Sequence, residues 1–154
     1  MAQTRAIAPV VGVVVLVLVT VVIALSVSLA LTTPDLDERP TATLSLAVDG
    51  ETDRVALTHE GGDRLDVSEL NLTIEVDGTR LDEQPPVPFF AADGFEGGPT
   101  GPFNTNSTDD WRAGETAGVR IAETNDPLPS DGSTVTVLVS VEEGVIAEAE
   151  TTVR

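Results

Sequence analysis

Residues 7–31 read Ile7-Ala8-Pro9-Val10-Val11-Gly12-Val13-Val14-Val15-Leu16-Val17-Leu18-Val19-Thr20-Val21-Val22-Ile23-Ala24-Leu25-Ser26-Val27-Ser28-Leu29-Ala30-Leu31. They form an uncharged run of 25 residues, 17 of them Val, Leu or Ile. At about 1.5 Å per residue a helix of this length reaches roughly 37 Å, enough to cross a hydrocarbon core of about 30 Å with some tilt. The run therefore predicts a membrane-spanning helix over residues 7–33. Its start lies near Ala8, because Pro9 is tolerated in a first turn where its missing N–H has no intrahelical partner. Large aliphatics contribute about −0.3 to −0.6 kcal/mol each to insertion, so the run favours the bilayer by about 5 to 10 kcal/mol before Thr20, Ser26 and Ser28 subtract. Arg5 is the only charge before Asp35. The positive-inside tendency then places the N-terminus in the cytoplasm and the remainder outside. A secretory signal would have an apolar centre of about 7–15 residues and a small-residue cleavage site. Ser28-Leu29-Ala30 loosely has that form, but the run is too long for it.

The junction ahead of the run carries a resemblance. Arg5-Ala6 followed by Ile7-Ala8-Pro9-Val10-Val11-Gly12-Val13 resembles the N-terminus of archaeal type IV pilins and haloarchaeal pilin-like proteins. Their usual pattern is a basic residue, a small residue, then an apolar–Ser–Pro–Val–Ile–Gly–Val start. The resemblance implies a leader over residues 1–6, cut by a prepilin peptidase between Ala6 and Ile7, with Arg5, Ala6, Ile7, Pro9 and Gly12 as the processing signature. It also implies that the helix is retained and that mature subunits pack it as a filament core, as a homo- or hetero-polymer with other pilins serving adhesion. Ala8 stands where the family usually has Ser. Val11 stands where bacterial type IV pilins carry a glutamate that pairs with the new N-terminal amine, a substitution common in the archaeal branch.

The chain beyond the run has the length of one domain, 41–154, behind a short acidic linker, 34–40. All 26 acids but only seven of the eight basic residues lie after residue 31, leaving that part at −19; every basic residue is Arg. Such a surface repels nucleic acid and anionic lipid. The acid excess reads either as an ordinary solvated face or, the preferred reading, as adaptation to high salt, where screening suppresses carboxylate repulsion. With no Cys, neither a disulfide nor a thiolate metal site can staple the domain, so its stability must come from apolar burial.

Period-two alternation recurs along the domain. Ala42, Leu44, Leu46 and Val48 alternate with polar or small residues; Val55 and Leu57 repeat the pattern; Leu70, Leu72, Ile74 and Val76 show it most clearly, before the hairpin signal Asp77-Gly78. Ala117, Val119 and Ile121, then Val135 to Val141, then Val145, Ala147, Ala149 and Val153 continue it. Six or seven strands result, as in an all-β, immunoglobulin-like sandwich. Between Asp82 and Asp110 the pattern dissolves into Pro, Gly and scattered Phe, which predicts an open loop rather than a central strand.

Chemistry-bearing constellations are sparse. His59 is the only histidine, so a Ser-His-Asp site would have to be built around it; a hydrogen-bonding histidine at a strand end is the plainer reading. It lies in Leu57-Thr58-His59-Glu60-Gly61-Gly62-Asp63-Arg64-Leu65, similar to a Thr-His-x-Gly-Gly-Asp segment of haloarchaeal pilin-like proteins. Asp35-Leu36-Asp37-Glu38 and Asp109-Asp110 crowd carboxylates without the spacing and glycine of a calcium loop. Asp93-Gly94-Phe95-Glu96-Gly97-Gly98 lacks the strand-then-helix setting of a phosphate loop and reads as a flexible loop. Asn71-Leu72-Thr73 and Asn106-Ser107-Thr108 meet the N-glycosylation rule, with Asn71 on the solvent face of its strand and Asn106 in the open loop. Trp111 is expected to cover one end of the core.

The expectation is a non-enzymatic, pilin-like structural subunit with no cofactor and no metal site. Its partners would be the membrane, a prepilin peptidase and other pilins, with the acidic domain outside the cytoplasm and in a surface filament after assembly. The alternative is a membrane-anchored binding module that does not polymerise, using residues 82–110 as its contact surface.

Overall fold

The computed structural model describes residues 7–31 and 39–154 except 143, with helical side chains placed from 9 to 24. The leader 1–6 and the greater part of the linker, 34–38, lie outside the described residues. The chain divides into two units, one holding the helix and the other running Arg39–Arg154.

The helix α1 spans Ile7–Leu31. Residues 1–6 lie outside the described ones, and Pro9 sits in the first turn of the described span. The hydroxyl of Thr20 donates back to the Val17 carbonyl at 2.9 Å, which satisfies the one polar side chain of the central stretch within the helix itself. Among the described residues, whose helical side chains run from 9 to 24, no helix is long and apolar enough to cross a membrane. The helical backbone itself continues for 25 residues.

The second unit is built from β1 (Ala42–Asp49), β2 (Arg54–Gly62), β3 (Leu65–Asp66), β4 (Asn71–Val76), β5 (Thr79–Arg80), β6 (Asp110–Trp111), β7 (Thr116–Arg120), β8 (Thr134–Val141) and β9 (Gly144–Thr152). They form sheets of order β1-β2-β7 and β5-β4-β8-β9, with β3-β6 as a short separate pair. Every pairing is antiparallel, and the result is sandwich-like. Asp77 and Gly78 both take positive φ, 49° and 78°, the backbone that a two-residue hairpin between twisted strands requires. The alternation read from sequence becomes the core: Val55 and Leu57 from β2, Leu72, Ile74 and Val76 from β4, Ala117 and Val119 from β7, and Val135, Val137 and Val139 from β8 are all buried. Strand β1, at a sheet edge, buries its inward side only partly.

Two expectations are corrected. The 82–110 stretch is not an open loop, because Val87, Phe89, Phe95 and Phe103 are buried in the main core. Its backbone follows the free edge of β7: Glu96 donates to the Arg120 carbonyl at 2.9 Å, and Thr100 exchanges bonds of 2.8 and 3.2 Å with Gly118. A segment too rich in proline for a ladder can still cap an edge one bridge at a time. In β9, Val145 faces out at 54% exposure instead of joining Ala149 inside. The pairing jumps from Val139↔Ala147 to Ser140↔Val145, so Ile146 is an extra residue that turns the start of the strand over.

Candidate functional site

Between Val10 and Ile23 the large side chains of α1 are exposed on every side, from 48% at Val19 to 63% at Leu16. An amphipathic helix would show one polar face; this one shows none, and nothing described in its own unit covers it. Val13, Val14, Val17, Leu18 and Val21 frame a shallow groove along one side, and Gly12 has no neighbour within 4 Å of where a Cβ would stand. Of the predicted processing residues, Ile7, Pro9 and Gly12 lie in the helix, while Arg5 and Ala6 are outside the described residues.

Both sequons are on the surface of the β-domain. Asn71 opens β4 and is exposed, beside a hollow of about 460 Å³ that it shares with Pro40, Glu69, Val141 and Glu142. Asn106 is exposed in a turn, where its N–H donates to the Asn104 side chain at 2.9 Å.

His59 is fully buried. Its Nε2 lies 2.8 Å from the Asp63 carbonyl oxygen; a carbonyl only accepts, so the proton is on Nε2 and donates. Nδ1 is buried without a partner. The ring stands edge-on to Trp111 at 5.7 Å, and the Trp111 indole N–H donates to the Glu115 carbonyl at 3.0 Å. Trp111 also meets Phe103 edge-on at 5.1 Å. The tryptophan thus closes the core as expected, and the histidine is part of that closure.

Asp63 reaches the opposite way, to the residue where the chain joins the β-domain. Its Oδ2 accepts from the Thr41 N–H at 2.9 Å and from the Thr41 hydroxyl at 3.1 Å, and its own N–H donates to the Thr41 carbonyl at 2.7 Å. The Thr41 N–H bond, then the Thr41 hydroxyl, hold the Asp63 carboxyl below its ordinary pKa.

Two side-chain amides escaped the sequence reading. Buried Asn125 accepts from the Glu83 and Asp126 N–H groups and donates to the Glu83 and Gly94 carbonyls, pinning the 82–96 segment. Gln84 accepts from Ile74 N–H at 2.7 Å and donates to its carbonyl at 3.0 Å, serving the edge of β4 as a strand would. Neither has a sequence signal, because a pinning amide looks like any loop Asn or Gln.

A further hollow of about 240 Å³ is lined by Arg54, Arg120, Thr100, Glu96 and the Gly97-Gly98 backbone. Arg54 and Arg120 stand opposite each other across β2 and β7. Glu96 shares the hollow, however. Nearby Asp53 is pushed above its ordinary pKa by burial first, then by Glu123 and Glu96, with Arg120 pulling the other way. The guanidinium therefore already sits among the protein's own carboxylates and offers an added anion little attraction. Asp110 is held by Arg64 at 2.7 Å and Arg112 at 2.9 Å. Among the described residues no group of three or more His, Asp or Glu is arranged to hold a metal ion.

No family model matches the chain, and no curated protein matches it. Among solved structures, the archaellum periplasmic stator protein FlaG from Sulfolobus acidocaldarius is similar at 10% identity, covering 71% of this chain and 97% of that one with a TM-score of 0.43. A likeness this loose carries no weight in assigning a function.

Proposed function

We propose that the chain is a pilin-like structural subunit of a cell surface, anchored and assembled through α1, with the acidic β-domain displayed outside the cytoplasm. The supporting observation is the contrast between a helix with no charge over 25 residues, apolar on all sides, and a domain that buries its own core. Such a helix needs an apolar surround that its own unit does not supply. Its backbone length, roughly 37 Å at about 1.5 Å per residue, matches a bilayer with some tilt. Exchange of lipid for like helices is then feasible, because both surrounds are apolar and the step avoids exposure to water. On this reading Arg5-Ala6 directs a prepilin peptidase, the partners are the membrane and other pilins, and no cofactor, nucleic acid or catalysis is involved. The strand order β1-β2-β7 facing β5-β4-β8-β9 supports an immunoglobulin-like reading of the sandwich. The acid excess supports a high-salt habitat.

Intact mass of the protein from its native host tests processing: the reading expects a chain beginning at Ile7, and a chain retaining Met1 or Ala2 would overturn it. A non-polymerising anchored binding module is the second reading, favoured by Phe90, which is 64% exposed in a segment whose other phenylalanines, Phe89, Phe95 and Phe103, are buried. Shearing the cells separates the two, since a filament subunit leaves with the filaments and an anchored module stays with the membrane.

A further inference from the structure

The Thr58-His59-Glu60-Gly61-Gly62-Asp63 segment has no part in anchoring or processing, yet its geometry is specific. Asp63 bonds Thr41 through both its backbone and its carboxylate, while its carbonyl oxygen takes the buried His59 Nε2–H. One residue thus joins the exposed start of the domain to its interior. His59 in turn is gripped by its own backbone, donating N–H to Glu115 at 3.0 Å and accepting from Gly114 at 2.7 Å. Its ring rests against Trp111, which donates to that same Glu115 carbonyl. The close approach of the two backbone stretches depends on Gly62. Its φ is +106°, and a Cβ there would overlap the Thr41 carbonyl oxygen.

The direction of loading fits. Gly144, at the start of β9, lies beside Arg39, and Val153, just past its end, lies beside Gly50, which follows β1. β1 and β9 therefore run side by side in the same sense, and the two termini of the domain lie at opposite ends of β1. A pull between them acts along the strand.

We propose that this segment is the force-transmitting fastening of the head: it delivers tension arriving from the N-terminal side at Thr41 to the His59–Trp111 interior, before the β1–β2 ladder is loaded. The inference rests on the proposed function, in which the head is held through its N-terminal helix.

The test is force spectroscopy on the full chain with handles at both termini, comparing wild type, Asp63→Ala and Asp66→Ala. Asp66 is the control: its strand pairs with β6 beside Trp111, but its exposed carboxylate accepts only from the Ser68 N–H and hydroxyl, at 3.0 and 2.6 Å, within its own turn, so the substitution leaves every bond to Thr41 and His59 in place. The expected result is that Asp63→Ala unfolds about tenfold faster at constant force, as the loss of bonds to a charged group implies, while Asp66→Ala matches wild type and both variants lose similar Tm. Equal unfolding rates for wild type and Asp63→Ala, or equal acceleration in both variants, would overturn the fastening. Because the handles replace the membrane, that result is separate from bilayer retention of the unpulled chain, whose failure would strike the anchoring reading alone.

Discussion

The helix and the β-domain use the same few aliphatic residues to opposite ends. In α1, Val13, Val17 and Val21 are about half exposed, whereas in β8, Val135, Val137 and Val139 are wholly buried. The difference lies in what separates the aliphatics. In β8 each Val is followed by Thr, Leu or Ser in alternation, so one face turns inward and the other tolerates water. In α1 nothing polar interrupts the run except Thr20 within 9–24, so no orientation of the helix can hide it. The domain is finished by its own sequence. The helix is finished only by what surrounds it.

That contrast can be broken from either side. The largest effect is expected in the domain: Trp111→Ala removes the side chain that His59 and Phe103 both rest on and should cost about 3–5 kcal/mol. Chemical denaturation would show a collapse of head stability, and on the proposed anchoring the protein would stay in the membrane fraction. On the proposed anchoring, Val17→Asp, placing a charge mid-helix, should do the reverse, weakening insertion by about 2.5–3.5 kcal/mol. Fractionation would find more protein released, with the head's melting transition unchanged.

Smaller effects sharpen the picture of the domain. Asn125→Ala leaves two carbonyls and two N–H groups near Glu83 and Gly94 without their partner and should cost about 1–3 kcal/mol. Hydrogen exchange is expected to rise over 82–96 first. The smallest effects are electrostatic, and their signs oppose. Asp63 has its pKa lowered by the Thr41 N–H and hydroxyl. Its contribution is therefore full above the unfolded value of 3.8 and is lost as pH falls through the lower folded value. Asp53 is raised, by burial and then by Glu123 and Glu96, so its ionised form is penalised at neutral pH and the penalty fades on acidification. Asp53→Asn keeps a residue tolerant of the φ of 50° found there and should raise Tm slightly at pH 7 but not at pH 3. The Asp63→Ala change should lower Tm at pH 7 and lose that effect in acid.

The sequence alone determined the helix, the long strands and the Asp77-Gly78 hairpin, because each depends on neighbours within a few residues: an unbroken apolar run, periodicity, a positive φ. It also placed Asn71 outside and Trp111 within. Only the tertiary structure decided that the 82–110 segment is core, since a Pro-rich stretch has no period and its phenylalanines are told apart only by what lies over them, Phe89 buried and Phe90 bare. Only it decided that Ile146 is a bulge, because register is a property of the strand pair, not of β9. The Thr-His-x-Gly-Gly-Asp segment was visible as a pattern from the start. What it does could not be read there, because its partner Thr41 stands 22 positions away and a hydrogen bond across that distance exists only once two strands have met.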